Sequence, residues 1–109
     1  MRIDYIELPS RDVAATSAFF ASAFGWGTVD YGPDYRGLAE AGIDGGIDGT
    51  ADRAAAPLVI LKAEDLAAAE ARVRAAGGTV TRPAFAFPGG RRFHFREPGG
   101  TEMAVWSET

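Results

Sequence analysis

Residues 2–8 alternate in character, with Ile3, Tyr5 and Glu7 on one side of an extended segment and Asp4, Ile6 and Leu8 on the other. Period-two alternation with β-branched and aromatic residues predicts a strand, and Pro9 ends it. After Asp12 the period changes. Val13, Thr16, Phe19, Phe20, Ala23 and Phe24 recur at helical spacing, so a helix is predicted with Asp12 as its N-cap and Gly25 and Gly27 as its stop. The glycine-punctuated segment that follows alternates weakly and predicts short strands near 28–31, 35–41 and 46–48.

The same order returns in the second half. Shifting the chain by 53 positions lays Tyr5 on Leu58, Leu8 on Leu61, Asp12 on Asp65, Val13 on Leu66 and Phe20 on Val73. Fixed-offset self-similarity is the signature of a repeated supersecondary unit, and two such halves are expected to face each other across a shared cleft. Pro57, which lacks an amide donor, suits the start of a strand over 58–62. Asp65 then caps a helix with an inward stripe of Leu66, Ala69, Val73 and Ala76 and a stop at Gly77-Gly78. Residues 79–87 read as a strand interrupted by Pro83, and 91–96 with 102–107 read as a hairpin across Glu97-Pro98-Gly99-Gly100. The prediction is one domain of two β-α-β-β-β modules, 1–49 and 57–109, joined by a linker over 50–56.

Composition narrows the function classes. At 109 residues there is material for one core. Lys+Arg 11 against Asp+Glu 15 leaves a net charge of −4, which argues against binding a phosphate backbone, and no apolar run approaches the roughly 20 residues that span a bilayer. Neither nucleic acid nor a membrane is expected as a partner. With no cysteine, thiolate chemistry and disulfides are excluded, and the chain opens on a strand pattern instead of a signal segment, so the cytoplasm is the expected compartment.

Two such modules, the helix ending Phe24-Gly25-Trp26, the Ala-Gly-Gly exit of the second helix, and the phrase Phe93-His94-Phe95-Arg96-Glu97-Pro98-Gly99-Gly100-Thr101-Glu102-Met103-Ala104-Val105-Trp106 resemble the vicinal oxygen chelate family. That family includes glyoxalase I, bleomycin resistance proteins and extradiol dioxygenases. The resemblance covers nearly the whole chain. It implies an α+β fold in which the modules form an open, curled mixed sheet around a cavity, and pairing of two copies into a homodimer. Metal-using members place a His or Glu on the first strand of each module and a Glu on each last strand. By position these sites fall on Tyr5, Leu58 and Ala104, with the fourth near Gly46 or Asp48. Three of these are not usual ligands, whereas a catalytic metal site needs about three protein ligands. The expectation is no metal and no cofactor.

His94 is the sole histidine, so any imidazole chemistry must use it. It faces the cavity if Phe93 and Phe95 pack on the helix side, and faces outward if they do not. Glu102, Ala104 and Trp106 share one strand face; Glu7 shares that of Tyr5, and Lys62 that of Leu58. The expected ligand-binding set is Tyr5, Glu7, Leu58, Ile60, Glu102, Ala104 and Trp106, and the acid–base candidates are Glu102, Glu7 and His94. A solvated rim is the structural alternative for the carboxylates, and core packing for the aromatics. A flat, partly apolar ligand with a cationic or hydrogen-donating group would suit such walls; a small anion would have to find Lys62, Arg91 or Arg92. The run Asp44-Gly45-Gly46-Ile47-Asp48-Gly49 lacks the frame of a calcium or phosphate loop and reads as glycine-rich strand. Small-molecule binding without metal is the leading reading. A glyoxalase-, isomerase- or lyase-like enzyme is the rival, and the sequence leaves open whether any reaction is catalysed.

Overall fold

A computed structural model describes residues 1–109. The order is β1 (Arg2–Pro9), α1 (Val13–Phe24), β2 (Gly27–Asp30), β3 (Tyr35–Ala39), β4 (Gly45–Asp48), β5 (Leu58–Lys62), α2 (Leu66–Ala75), β6 (Thr79–Phe87), β7 (Gly90–Arg96) and β8 (Glu102–Ser107). The fold is α+β, and each half runs β-α-β-β-β. The chain divides into two compact units, Tyr5–Leu58 and Val59–Thr109, the second also taking Met1–Asp4.

In the unit of residues 5–58 the strand order is β2-β3-β4-β1, with β1 and β4 parallel and the other pairs antiparallel. Asp12 caps α1 as expected, its carboxylate accepting the Ala15 amide at 3.0 Å. Gly25 ends the helix at φ +73°, a left-handed backbone that any Cβ would strain, and its N–H bonds Ala21 O. The residues of α1 that recur at helical spacing are not all covered. Val13 and Ser17 are buried, Phe20 is half-buried, and Phe19, Ala23 and Phe24 lie exposed. Positions 13, 17, 20 and 24 hold one face at 3.6 residues per turn and 19 and 23 lie off it; Phe24 shares the face but, as the last helical residue, is exposed. Phe19, Phe20, Phe24 and Trp26 instead pack on one another with ring centroids 5.0–6.1 Å apart.

In the other unit the order is β5-β8-β7-β6, with β5 and β8 parallel. One face packs on α2: Ala63, Leu66, Ala69, Phe93, Phe95 and Val105 form the core, flanked by Leu61, Val73, Val80, Ala84 and Met103. Asp65 caps α2 through the Ala68 amide at 3.0 Å. Ala76 caps the C-terminus and is exposed, so it is not part of the buried stripe. Pro83 does not break β6. The strand lies at the end of this order, where a missing amide donor costs no ladder bond, and its pairing to β7 slips between Val80 and Arg82 and again between Arg82 and Phe85.

Candidate functional site

Each unit gathers polar side chains on the sheet face turned away from its helix. In the unit of residues 5–58, Leu8 is registered with Ile47 and Arg36 with Ile47, and Arg36 reaches Ser17 of α1, so these mark the helix face. The alternate residues Tyr5, Glu7, Tyr35 and Asp48 therefore point the other way. Tyr35 Oη lies 2.6 Å from Tyr5 Oη and donates to Glu7 Oε2 at 3.0 Å. A phenol has one proton, so Tyr5 must donate to Tyr35, and the chain of donors runs Tyr5 to Tyr35 to Glu7. Burial, reinforced by the Glu7 charge, pushes the Tyr35 phenol far above its ordinary range and keeps it protonated. Gly46 is opposite Glu7 and Gly37, and a Cβ there would collide with the Tyr35 hydroxyl. The glycine-rich run is a buried strand whose missing side chains make room for this network.

In the other unit the register fixes which residues share a face. His94 is opposite Arg82 on one side and Ala104 on the other, and Ala104 is opposite Ile60. Registered partners point the same way, giving one row of Arg82, His94, Ala104 and Ile60. A second row is Phe85, Arg92, Trp106 and Lys62. The burial of Phe93 and Phe95 against α2 settles the side of His94: it lies on the face opposite that helix.

His94 is 4% exposed, and its Nδ1 is 3.5 Å from Glu102 Oε2, which also accepts from Thr81 Oγ1 at 3.2 Å. Its Nε2 is buried and has no hydrogen-bond partner. Burial and the Arg92 guanidinium hold the imidazole pKa below its ordinary value, Arg82 adds to this, and Glu102 opposes it. His94 is thus neutral at neutral pH, and the carboxylate beside Nδ1 favours the proton there, leaving a lone pair on Nε2. The Arg82 guanidinium sits 3.8 Å from the Phe85 ring centre and that of Arg92 5.4 Å from it. His94 and Phe85 have ring centroids 5.8 Å apart, and Phe87 meets Trp106 at 6.0 Å.

Trp106 donates its indole N–H to both carboxylate oxygens of Asp4, at 3.1 and 3.2 Å, satisfying a half-buried donor. Strand alternation separates Asp4 from Tyr5 and Glu7, so this partner was not among the expected neighbours of Trp106. Lys62 lies 4.9 Å from the Trp106 ring centre and pairs with Glu108 at 3.3 Å. Leu58, Ile60 and Ala104 are buried apolar side chains. Arg82, Phe85 and Phe87 were missed as site residues. The signal was Pro83, whose disruption of the strand warned that alternation would fail around it. A cleft of about 800 Å³ at the start of α2 includes Lys62 but neither His94, Glu102 nor Trp106, and its charges are of both signs.

The positions at which the resemblance places metal ligands do not fit a metal. Tyr5 is engaged with Tyr35, Leu58 and Ala104 have no donor atom, and Gly46 faces the Tyr35 hydroxyl. No three His, Cys, Asp or Glu side chains converge anywhere in the chain.

Among solved structures the fold is similar to a glyoxalase/bleomycin resistance protein/dioxygenase superfamily member from Vibrio splendidus 12B01, 16% identical over 97% of both chains with a TM-score of 0.76. It is also similar to methylmalonyl-CoA epimerase from Mycobacterium tuberculosis, 15% identical over 96% of this chain and 86% of that one, TM-score 0.71. The Mn(II)-bound glyoxalase from Novosphingobium aromaticivorans is 26% identical over 97% of this chain, TM-score 0.68, and this chain spans 38% of its length. No curated protein matches the sequence. The family description Glyoxalase/Bleomycin resistance protein/Dioxygenase superfamily matches residues 2–105, and the chain belongs to that superfamily.

Proposed function

We propose that this protein binds a small organic molecule, without a metal, on the sheet face of the Val59–Thr109 unit that carries His94, Glu102 and Trp106, with Tyr5 and Glu7 as the candidate residues of the other unit. The observation that carries the reading is His94: a buried imidazole with one nitrogen beside a carboxylate and the other unpartnered is costly in a purely structural sheet. The donor set at Tyr5, Leu58 and Ala104 supports metal independence. A thermal-shift screen of small organic acids, amines and neutral aromatics on dialysed protein tests both parts, with elemental analysis of the same sample. Stabilisation by a compound in metal-free protein is the expected result. One tightly held transition metal per chain, or no stabilising compound, contradicts the reading.

An enzyme is the second reading, with Glu102, Glu7 or His94 as the acid–base group, and the 3.5 Å approach of Glu102 to His94 favours it. Pairing of two copies is part of the proposal, supported by the exposed Phe19 and Phe24 on an α1 that has no charged residue. Light scattering giving twice the chain mass is expected. The cytoplasm is the proposed compartment, since a cysteine-free chain needs no oxidising environment. No helix is long and apolar enough to cross a membrane.

A further inference from the structure

The charged groups facing His94 come from three strands. Arg82 comes from β6, Arg92 from its own strand β7, and Glu102 from β8. Lys62 of β5 stands in the neighbouring row, over Trp106. Lys62 is paired with Glu108 and Trp106 with Asp4, so the charges that act on His94 itself are the two guanidinium groups and the Glu102 carboxylate. The rings Phe85, Phe87 and Trp106 border the same ground. A cationic ligand at His94 would meet the two guanidinium charges and one carboxylate that already accepts from Thr81.

Resting on the small-molecule reading above, we infer that the β6–β7–β8 face takes a flat aromatic carboxylate, whose anionic group is bound by His94 Nε2 within the field of Arg82 and Arg92. Binding must take up a proton. With the Nδ1 hydrogen directed at Glu102, Nε2 offers a lone pair and would repel a carboxylate. Once protonated it becomes a charge-assisted donor, and Glu102 stabilises the imidazolium from the other side. The arriving anion also offsets the two guanidinium charges that keep the ring neutral in the unliganded protein. Arg82 and Arg92 are half-buried beside the imidazole, and admission of the ligand to the buried Nε2 requires their long side chains to move.

Benzoate, benzamide and benzylammonium, alike in shape and different in charge, test the proposal by calorimetry in buffers of different ionisation enthalpy. Benzoate alone should bind, with uptake of about one proton per ligand above the His94 pKa, and its affinity should fall about tenfold per pH unit there. His94→Gln should abolish the uptake and weaken benzoate by at least about tenfold. Should that variant misfold, the imidazole ¹⁵N shifts of the unaltered protein decide, moving from neutral to imidazolium values on adding benzoate. Benzoate binding without proton exchange, or preference for benzylammonium or benzamide, overturns the inference. So does failure of benzoate while another compound stabilises the protein, and in that case the broader binding reading survives; silence from every compound overturns both.

Discussion

Tyr35 stands between Tyr5 and Glu7, accepting from one hydroxyl at 2.6 Å and donating to the carboxylate at 3.0 Å, across 30 and 28 residues of chain. The relay ties β3 to β1 across β4, and Gly46 on β4 leaves the space it occupies. A buried polar chain of this kind is stabilising only while every member is satisfied.

Tyr35→Phe removes the donor to Glu7 and the acceptor for Tyr5 while keeping the ring. The expected loss is about 1–3 kcal/mol by urea unfolding. Stability equal to the parent protein would show that the relay contributes nothing. The raised phenol pKa adds a pH signature: Tyr35 favours the folded state through its protonated form, fully so below the ordinary tyrosine range near pH 10 and progressively less above it. Ultraviolet titration should show one tyrosine that ionises only together with alkaline unfolding.

Gly46→Ala places a methyl group where the Tyr35 hydroxyl lies. The substitution should destabilise by about 1–3 kcal/mol, as overpacking does. In a Tyr35→Ala background the same change should cost clearly less, because the colliding atoms are gone. Equal costs in the two backgrounds would mean the clash is relieved elsewhere.

Phe93 is fully buried against α2 and has no polar partner to complicate its loss. Phe93→Ala should cost about 3–5 kcal/mol. A cost that large would consume much of the stability of a domain this size. A loss under about 1 kcal/mol would place Phe93 outside the folding core.

Glu97 organises the β7–β8 turn by accepting from the Gly99 amide at 2.7 Å and the Thr101 amide at 2.9 Å. These bonds, first that to Thr101, hold its carboxyl pKa below the ordinary value although the side chain is exposed. A lowered folded-state pKa means that the contribution is present above the unfolded value and is lost as pH falls through the folded one. Proton NMR should show the Gly99 and Thr101 amides moving upfield together in acid, with a midpoint below that of a free glutamate. Glu97→Gln should remove the transition.

Both helix N-caps, the β-α-β-β-β order and the Glu97 turn were legible because each rests on local chemistry: Asp12 and Asp65 at the change of period, and Gly25, Gly77 and Gly100 where the backbone must turn back. The face of His94 was not. Period-two geometry left two choices, and only the packing of Phe93 and Phe95 on α2 selects one. The Tyr5–Tyr35–Glu7 relay joins residues whose proximity follows from sheet order, which no spacing along the chain encodes. Helical spacing in α1 did not tell which residues are covered: Phe19 lies off the face fixed by Val13 and Ser17, and Phe24 lies on that face but at the last residue of the helix, where it is exposed.

The slip in β6 between Arg82 and Phe85 works like a change of reading frame for side chains. In an unbroken strand, positions three apart point to opposite sides, so Arg82 and Phe85 could not both stand over His94. The irregular pairing shifts the parity by one, and everything from Phe85 to Phe87 is read in the new phase. Regular pairing at constant length would set Ala84 opposite Arg92, turning Phe85 and Phe87 toward α2 and Ala84 and Ala86 toward His94, whereas deleting Pro83 or Ala84 would regularise the ladder and leave Phe85 where it is. Loss of the slip, with no change of side-chain chemistry, is thus a route by which relatives of this chain could exchange an aromatic wall for an alanine one.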